Sequence, residues 1–122
     1  MKNRLSIKRV NTILYCRNWQ ETVHFYHHNL GLPVAFSTEW FVEFELGGGA
    51  LLSIADEGRA TISSGQGAGI TLTFQVENAD EAWRALGDSG LAVGPVKDHP
   101  WGARVFYLFD PEGHRLEVWS PN

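Results

Sequence analysis

The richest chemistry in the sequence is concentrated around residue 117, in the alternating stretch Arg115-Leu116-Glu117-Val118-Trp119. Leu116 and Val118 point to one side of a strand, while Arg115, Glu117 and Trp119 point to the other. A carboxylate between a guanidinium and an indole describes the wall of a pocket rather than a solvated edge. Such a carboxylate, once desolvated, must be paired, hydrogen-bonded or protonated. Arg104 and Arg115 are candidate cations for it, and Asn11 and Thr71 candidate donors. It could accept from a ligand amine or hydroxyl, serve as a general base, or simply tie a buried polar network together. No nucleophile stands beside it, so covalent catalysis has no support.

Other spacings carry less. His24 and His28 are four apart, a separation that can bind metal on a helix, but they lie opposite Val23, Tyr26 and Leu30 and read as a solvated face. Gly67 and Gly69 precede no helix start, which rules out a phosphate loop. The single cysteine, Cys16, shares a strand face with Leu14 and reads as a small buried hydrophobe. With one cysteine, neither an intrachain disulfide nor a zinc-type cysteine spacing is available.

The elements that must position Glu117 follow from periodicity. Val10 to Cys16 alternate as a strand. Asn18, with Glu21 three residues on, predicts a capped helix start; Trp19, Val23, Tyr26 and Leu30 give its stripe, and Gly31 its stop. Strands are predicted near 33–38, 40–46 and 50–55, with Gly47-Gly48-Gly49 turning between the last two. Residues 56 to 68 are rich in Gly, Ser and charge and read as a linker or mobile loop. The pattern then restarts: a strand from Ile70 to Val76, and a helix capped by Asn78 with Glu81, striped by Ala79, Ala82, Trp83 and Leu86, with Trp83 expected in the core. Strands follow near 91–97, 103–109 and 114–119. Asp110-Pro111-Glu112-Gly113 predicts a type I turn before the last of them, with Asp110 accepting from backbone N–H groups.

The repeat can be checked by offset. Asn11 and Thr71 stand 60 apart, as do Asn18 and Asn78; Leu52 and Leu116 stand 64 apart, as do Ser53 and Glu117. Two βαβββ units of about sixty residues are implied, packing together about a pseudo-twofold axis to cover their sheets. Leu14, Leu52, Ile54, Leu72, Phe74, Phe106, Leu108, Leu116 and Val118 should face the helices. The opposite face mixes Asn11, Ile13, Leu51, Ser53, Thr71, Thr73, Tyr107, Glu117 and Trp119, a set that favours a concave, ligand-sized surface.

At 122 residues the chain is one domain by length. A net charge of −4 without a Lys/Arg cluster argues against nucleic-acid partners. No stretch approaches membrane-spanning length, and Met-Lys-Asn-Arg-Leu-Ser has no apolar targeting core, so a soluble cytoplasmic protein is expected.

The duplicated unit, the segment ETVHFYHHNLGLPV and the ending FYLFDPEGHRLEV resemble the vicinal oxygen chelate superfamily, which includes glyoxalase I, fosfomycin- and bleomycin-resistance proteins and extradiol dioxygenases. The resemblance spans roughly residues 8 to 120. It implies an α+β fold in which two tandem βαβββ modules, about 8–56 and 69–120 joined by a linker at about 57–68, form a curled mixed sheet with helices on its outer face. It also implies that metal ligands, where the family has them, fall on Asn11, Ser53, Thr71 and Glu117. Only Glu117 is of the expected type. One carboxylate with an amide and two hydroxyls is a poor set for Zn²⁺, Ni²⁺, Mn²⁺ or Fe²⁺, so no cofactor is expected. By the same resemblance Trp40, Trp101 and Trp119 border the cavity and suit stacking of a planar ligand, Trp101 and Arg104 sit on a covering loop, and Tyr107 is a pocket hydroxyl. The expected protein is a homodimeric, metal-free binder of a small, partly aromatic molecule. The alternative is a metal-dependent lyase, isomerase or dioxygenase using Glu117.

Overall fold

The computed structural model describes residues 2–122 and divides into two compact units, Met1–Ser64 and Gly65–Asn122. The first unit holds β1 (Asn11–Cys16), α1 (Trp19–His24), β2 (Val34–Ser37), β3 (Phe41–Glu45) and β4 (Leu51–Asp56). The second repeats that order with β5 (Thr71–Gln75), α2 (Ala79–Asp88), β6 (Lys97–His99), β7 (Ala103–Phe109) and β8 (Arg115–Pro121). Each unit is one four-stranded mixed sheet, ordered β1-β4-β3-β2 in the first and β5-β8-β7-β6 in the second. In both, the first strand pairs parallel with the last, and the remaining pairs are antiparallel. The fold is α+β, and the βαβββ duplication read from the offsets is present element by element.

Alternation assigns the faces. In the first unit Leu14, Leu52 and Ile54 are buried on the side that carries Tyr26 and Phe44, whose rings lie 6.2 Å apart. In the second unit Phe106, Leu108, Leu116 and Val118 are buried; Leu72 and Phe74 of β5 are half-buried. Each fully buried aliphatic contributes on the order of 2 kcal/mol, more than a typical polar contact on the opposite face. The helix side therefore sets the fold and leaves the other face free to carry polar groups.

The two helix starts differ. Asn78 Oδ1 accepts from the Glu81 N–H at 3.0 Å, as its sequence predicts. Asn18 makes no side-chain cap hydrogen bond; its backbone ψ of 58° is not the extended value that aims a cap. Its carbonyl instead accepts from the Thr22 N–H and hydroxyl. Past His24 the first helix widens into a π-type turn over Phe25–Asn29, bringing Phe25 and Tyr26 inward.

Three further expectations are corrected. The strand predicted at 91–97 is confined to Lys97–His99, because Gly94 and Pro95 interrupt it; upstream, the Gly94 N–H alone reaches the Tyr107 carbonyl, at 2.9 Å. Trp83 is partly exposed rather than core, its indole N–H donating to the Gly94 carbonyl at 2.7 Å. The stretch read as a linker is shaped: Glu57–Arg59 form a 3₁₀ turn, and residues 66–69 turn back against the loop before β8.

That docking is close. A Cβ on Gly67 would lie 2.1 Å from the Gly113 carbonyl oxygen, and one on Gly113 would lie 2.7 Å from that of Gln66. Both glycines hold positive φ, 84° and 102°. The Asp110-to-Gly113 turn closes with the Gly113 N–H on the Asp110 carbonyl at 3.1 Å. Asp110 Oδ1 accepts from the backbone of Glu112 and His114, and Oδ2 lies 2.8 Å from His114 Nδ1, with both side chains buried.

Candidate functional site

The register of the second sheet sets Thr73 and Tyr107 on either side of Glu117, all on one face. Tyr107 donates its hydroxyl to Glu117 Oε2 at 3.0 Å, and Thr73 donates to Oε1 at 3.3 Å. Glu117 stays half-exposed, so each oxygen keeps room for a further donor. The Glu117 carboxylate accepting from Tyr107 holds that phenol above its usual range. Partial loss of solvent and the carboxylate charge push the same way, against the opposing effect of Arg115. Arg115 lies across the Tyr107 ring, 4.9 Å from its centroid, and its Nε donates to the Thr71 hydroxyl at 3.1 Å.

Aromatic rings continue along this face. Tyr107 neighbours His99 at 6.4 Å, His99 meets Trp101 at 5.9 Å, and Trp101 meets Trp119 edge-on at 5.4 Å. An open recess of about 610 Å³ adjoins Tyr107, with Val93, Pro95, Val105 and Phe109 in its apolar wall.

The predicted site residues separate as follows. Thr71, Tyr107, Glu117, Trp101 and Trp119 belong to the second unit, and all but Trp101 stand on strand positions of the Glu117 face. Asn11 and Ser53 belong to the first unit, where the buried Ser53 hydroxyl donates to Asn11 Oδ1 at 2.8 Å. Trp40, half-buried, also lies there, edge-on to Phe41 at 5.7 Å. Arg104 is placed elsewhere. It binds Asp80 of α2 through Nη2 at 2.8 Å and Nε at 3.3 Å, with Asp98 at 3.4 Å from Nη1. The guanidinium lowers the Asp80 carboxyl, and Asp80 in turn raises Arg104. Alternation on β7 explains this: Arg104 has the parity of Phe106 and Leu108, which face the helix, not of Tyr107.

Two positions of the same kind were not singled out by sequence. Glu43 pairs with Ser53 across β3 and β4 and is half-buried. The offset of 64 that matches Ser53 to Glu117 also matches Glu43 to Tyr107, so the signal was available. His99 joins the aromatic row through a strand that periodicity misplaced. His24 and His28 are exposed, their rings stacked at 4.7 Å. Among the described residues no three His, Cys, Asp or Glu side chains cluster as a metal site, and no helix is long and apolar enough to cross a membrane.

A profile of the Glyoxalase/Bleomycin resistance protein/Dioxygenase superfamily matches residues 6–118. The chain belongs to that superfamily. Solved glyoxalase-type structures agree in fold. A glyoxalase/bleomycin resistance protein/dioxygenase from Nocardioides superposes with TM-score 0.79 at 22% identity, over 99% of this chain and 86% of that one. An antibiotic binding protein from a Streptomyces species, TnmS3, gives 0.79 at 20% identity, over 97% and 99%. A lactoylglutathione lyase from Agrobacterium tumefaciens gives 0.75 at 23%, over 91% of each. No functionally curated protein matches the sequence. At these identities the likeness extends to the fold, which binders and enzymes of the superfamily share.

Proposed function

We propose that this superfamily member binds a small, partly aromatic molecule on the Glu117 face of its second unit, without a resident metal. The observation that carries the reading is the state of the Glu117 carboxylate. Its oxygens are oriented by two neutral hydroxyls, Tyr107 and Thr73, and remain open to a ligand N–H or O–H. The aromatic row from Tyr107 to Trp119 beside it offers stacking surface.

The family's metal positions do not fit an ion here. Ser53 and Asn11 bond to each other, and Thr71 accepts from Arg115. Glu117 is the lone anionic donor among these four positions, where borderline transition metals want several imidazole, thiolate or carboxylate ligands. The TnmS3 relative is named an antibiotic binding protein, and the present residues favour that kind of role over the chemistry named for the Agrobacterium one. The competing reading is a lyase, isomerase or dioxygenase that uses Glu117. It draws on the same hydrogen-bonded phenol and carboxylate as an acid–base pair.

Titration of purified protein with aromatic metabolites and antibiotics, followed by tryptophan fluorescence, tests this. Saturable quenching that is weakened in Trp119→Leu and Glu117→Gln, and unchanged after dialysis against a chelator, is the expected result. Stoichiometric transition metal in the purified protein, with binding lost on its removal, would favour the enzyme.

The reading extends to a homodimer in the cytoplasm. Edge strand β2 exposes Val34 and Phe36, at 43% and 55%, an apolar edge that a second copy would cover.

A further inference from the structure

We propose that the ligand is an aromatic carboxylic acid, its ring in the recess beside Tyr107 and its carboxylate held by Lys97 and His99. The inference rests on the binding role proposed above and deepens it.

The pairing of β6 with β7 sets Lys97 opposite Val105 and His99 opposite Ala103, on the Tyr107 face. Both side chains line the recess. Lys97 makes no ion pair among the described residues. Its neighbour Asp98 cannot supply one there, because alternation sends Asp98 to the helix side, 3.4 Å from Arg104. Along the strand positions of this face Glu117 is the one acid, against Lys97 and Arg115. A chain with net charge −4 thus sets an ammonium and an imidazole in one recess, with the Arg115 guanidinium across the Tyr107 ring beside it.

The walls divide the ligand by chemistry. Val93, Pro95 and Phe109 offer apolar surface for a ring, over the buried Val105. The Lys97 ammonium and a His99 ring N–H offer donors to a carboxylate. Glu117, beyond Tyr107, accepts from a hydroxyl or N–H at the far end of that ring. Lys97 and Glu117 stand on the strands flanking β7, two residues out of step. Strand spacing puts their backbones on the order of 12 Å apart, a gap that one para-substituted ring spans with hydrogen bonds at both ends.

Three probes that differ at one end test the assignment by calorimetry: 4-hydroxyphenylacetate, its amide, and tyramine. The acid is expected to bind at least about tenfold tighter than the other two. Lys97→Met should remove that preference by weakening the acid alone, and Lys97→Arg should restore most of it; because Lys97 is exposed, the variants should melt like the parent. An amide or amine that binds as tightly as the acid overturns the inference, as does a Lys97→Met variant that weakens all three equally. Either result leaves the binding role standing if Glu117→Gln still lowers affinity. Silence from all three probes in the parent protein counts against both.

Discussion

Tyr107 and Glu117 hold each other through one hydrogen bond, and the bond leaves a signature in titration. The carboxylate favours the neutral phenol, so the Tyr107 midpoint stands above the ordinary 10.0. Ultraviolet difference titration of the parent against Tyr107→Phe should show this, and Glu117→Gln should bring the midpoint back toward 10.0. A raised folded-state value means the contribution to stability is complete below the unfolded value and disappears as pH climbs through the folded one. The unfolding free energies of parent and Tyr107→Phe from urea titration should therefore differ at neutral pH, by under about 1 kcal/mol given the exposure of the pair, and converge in alkali. A gap that widened with rising pH would contradict the assignment. Glu117 itself was legible from alternation between Arg115 and Trp119. Its partners were not. Residue chemistry points to Asn11, Thr71, Arg104 or Arg115, whereas Thr73 and Tyr107 make the bonds. Parity gives the face of a side chain, but only register between strands gives its neighbour, and register depends on turns whose geometry the sequence states weakly.

At the level of elements, the Gly67–Gly113 contact is the most demanding in the second unit. No side chain fits between Gly67 and the Gly113 carbonyl, and both backbones occupy the region that disfavours L residues. Gly67→Ala should cost roughly 2 kcal/mol or more, read as a lowered urea midpoint, with a displaced turn before β8 reducing ligand affinity at Glu117. An alanine variant with parental stability would show that residues 66–69 yield easily. Composition alone suggested a loose connector here, since glycines that free a chain and glycines that permit a tight approach look alike in sequence. The reverse holds at 91–97, where a short apolar run resembles a strand although Pro95 withholds a ladder donor and the strand is Lys97–His99. Asn78 and Asn18 make the same point about caps. Equal spelling gave a bonded cap in one copy and none in the other, because the backbone entering the helix must also be extended.

For the whole molecule, duplication was the most readable property, because offsets of 60 and 64 compare the chain with itself and need no propensity scale. Both units take the same strand order, as those offsets require. What the repeat does not convey is divergence. The first copy presents Asn11, Ser53 and Glu43 where the second presents Thr71, Glu117 and Tyr107, so only the second joins its acid to a phenol. The homodimer proposed above is tested at this scale. Light scattering at micromolar concentration should report a mass twice the 13.6 kDa of the chain, falling toward one chain in Phe36→Asp, which charges the edge strand. A parent that scatters as a single chain would remove the dimer from the proposed function.

The order β5-β8-β7-β6 has a temporal meaning as well. Chains leave the ribosome from the amino end, so Thr73 and Tyr107 emerge before the strand that must slot between them. Until residues 115–119 follow, β5 and β7 lack their common neighbour, and the phenol lacks its acceptor. A nascent chain arrested before that point should gain no affinity for the acid probe, and gain it abruptly once the strand is free of the exit tunnel.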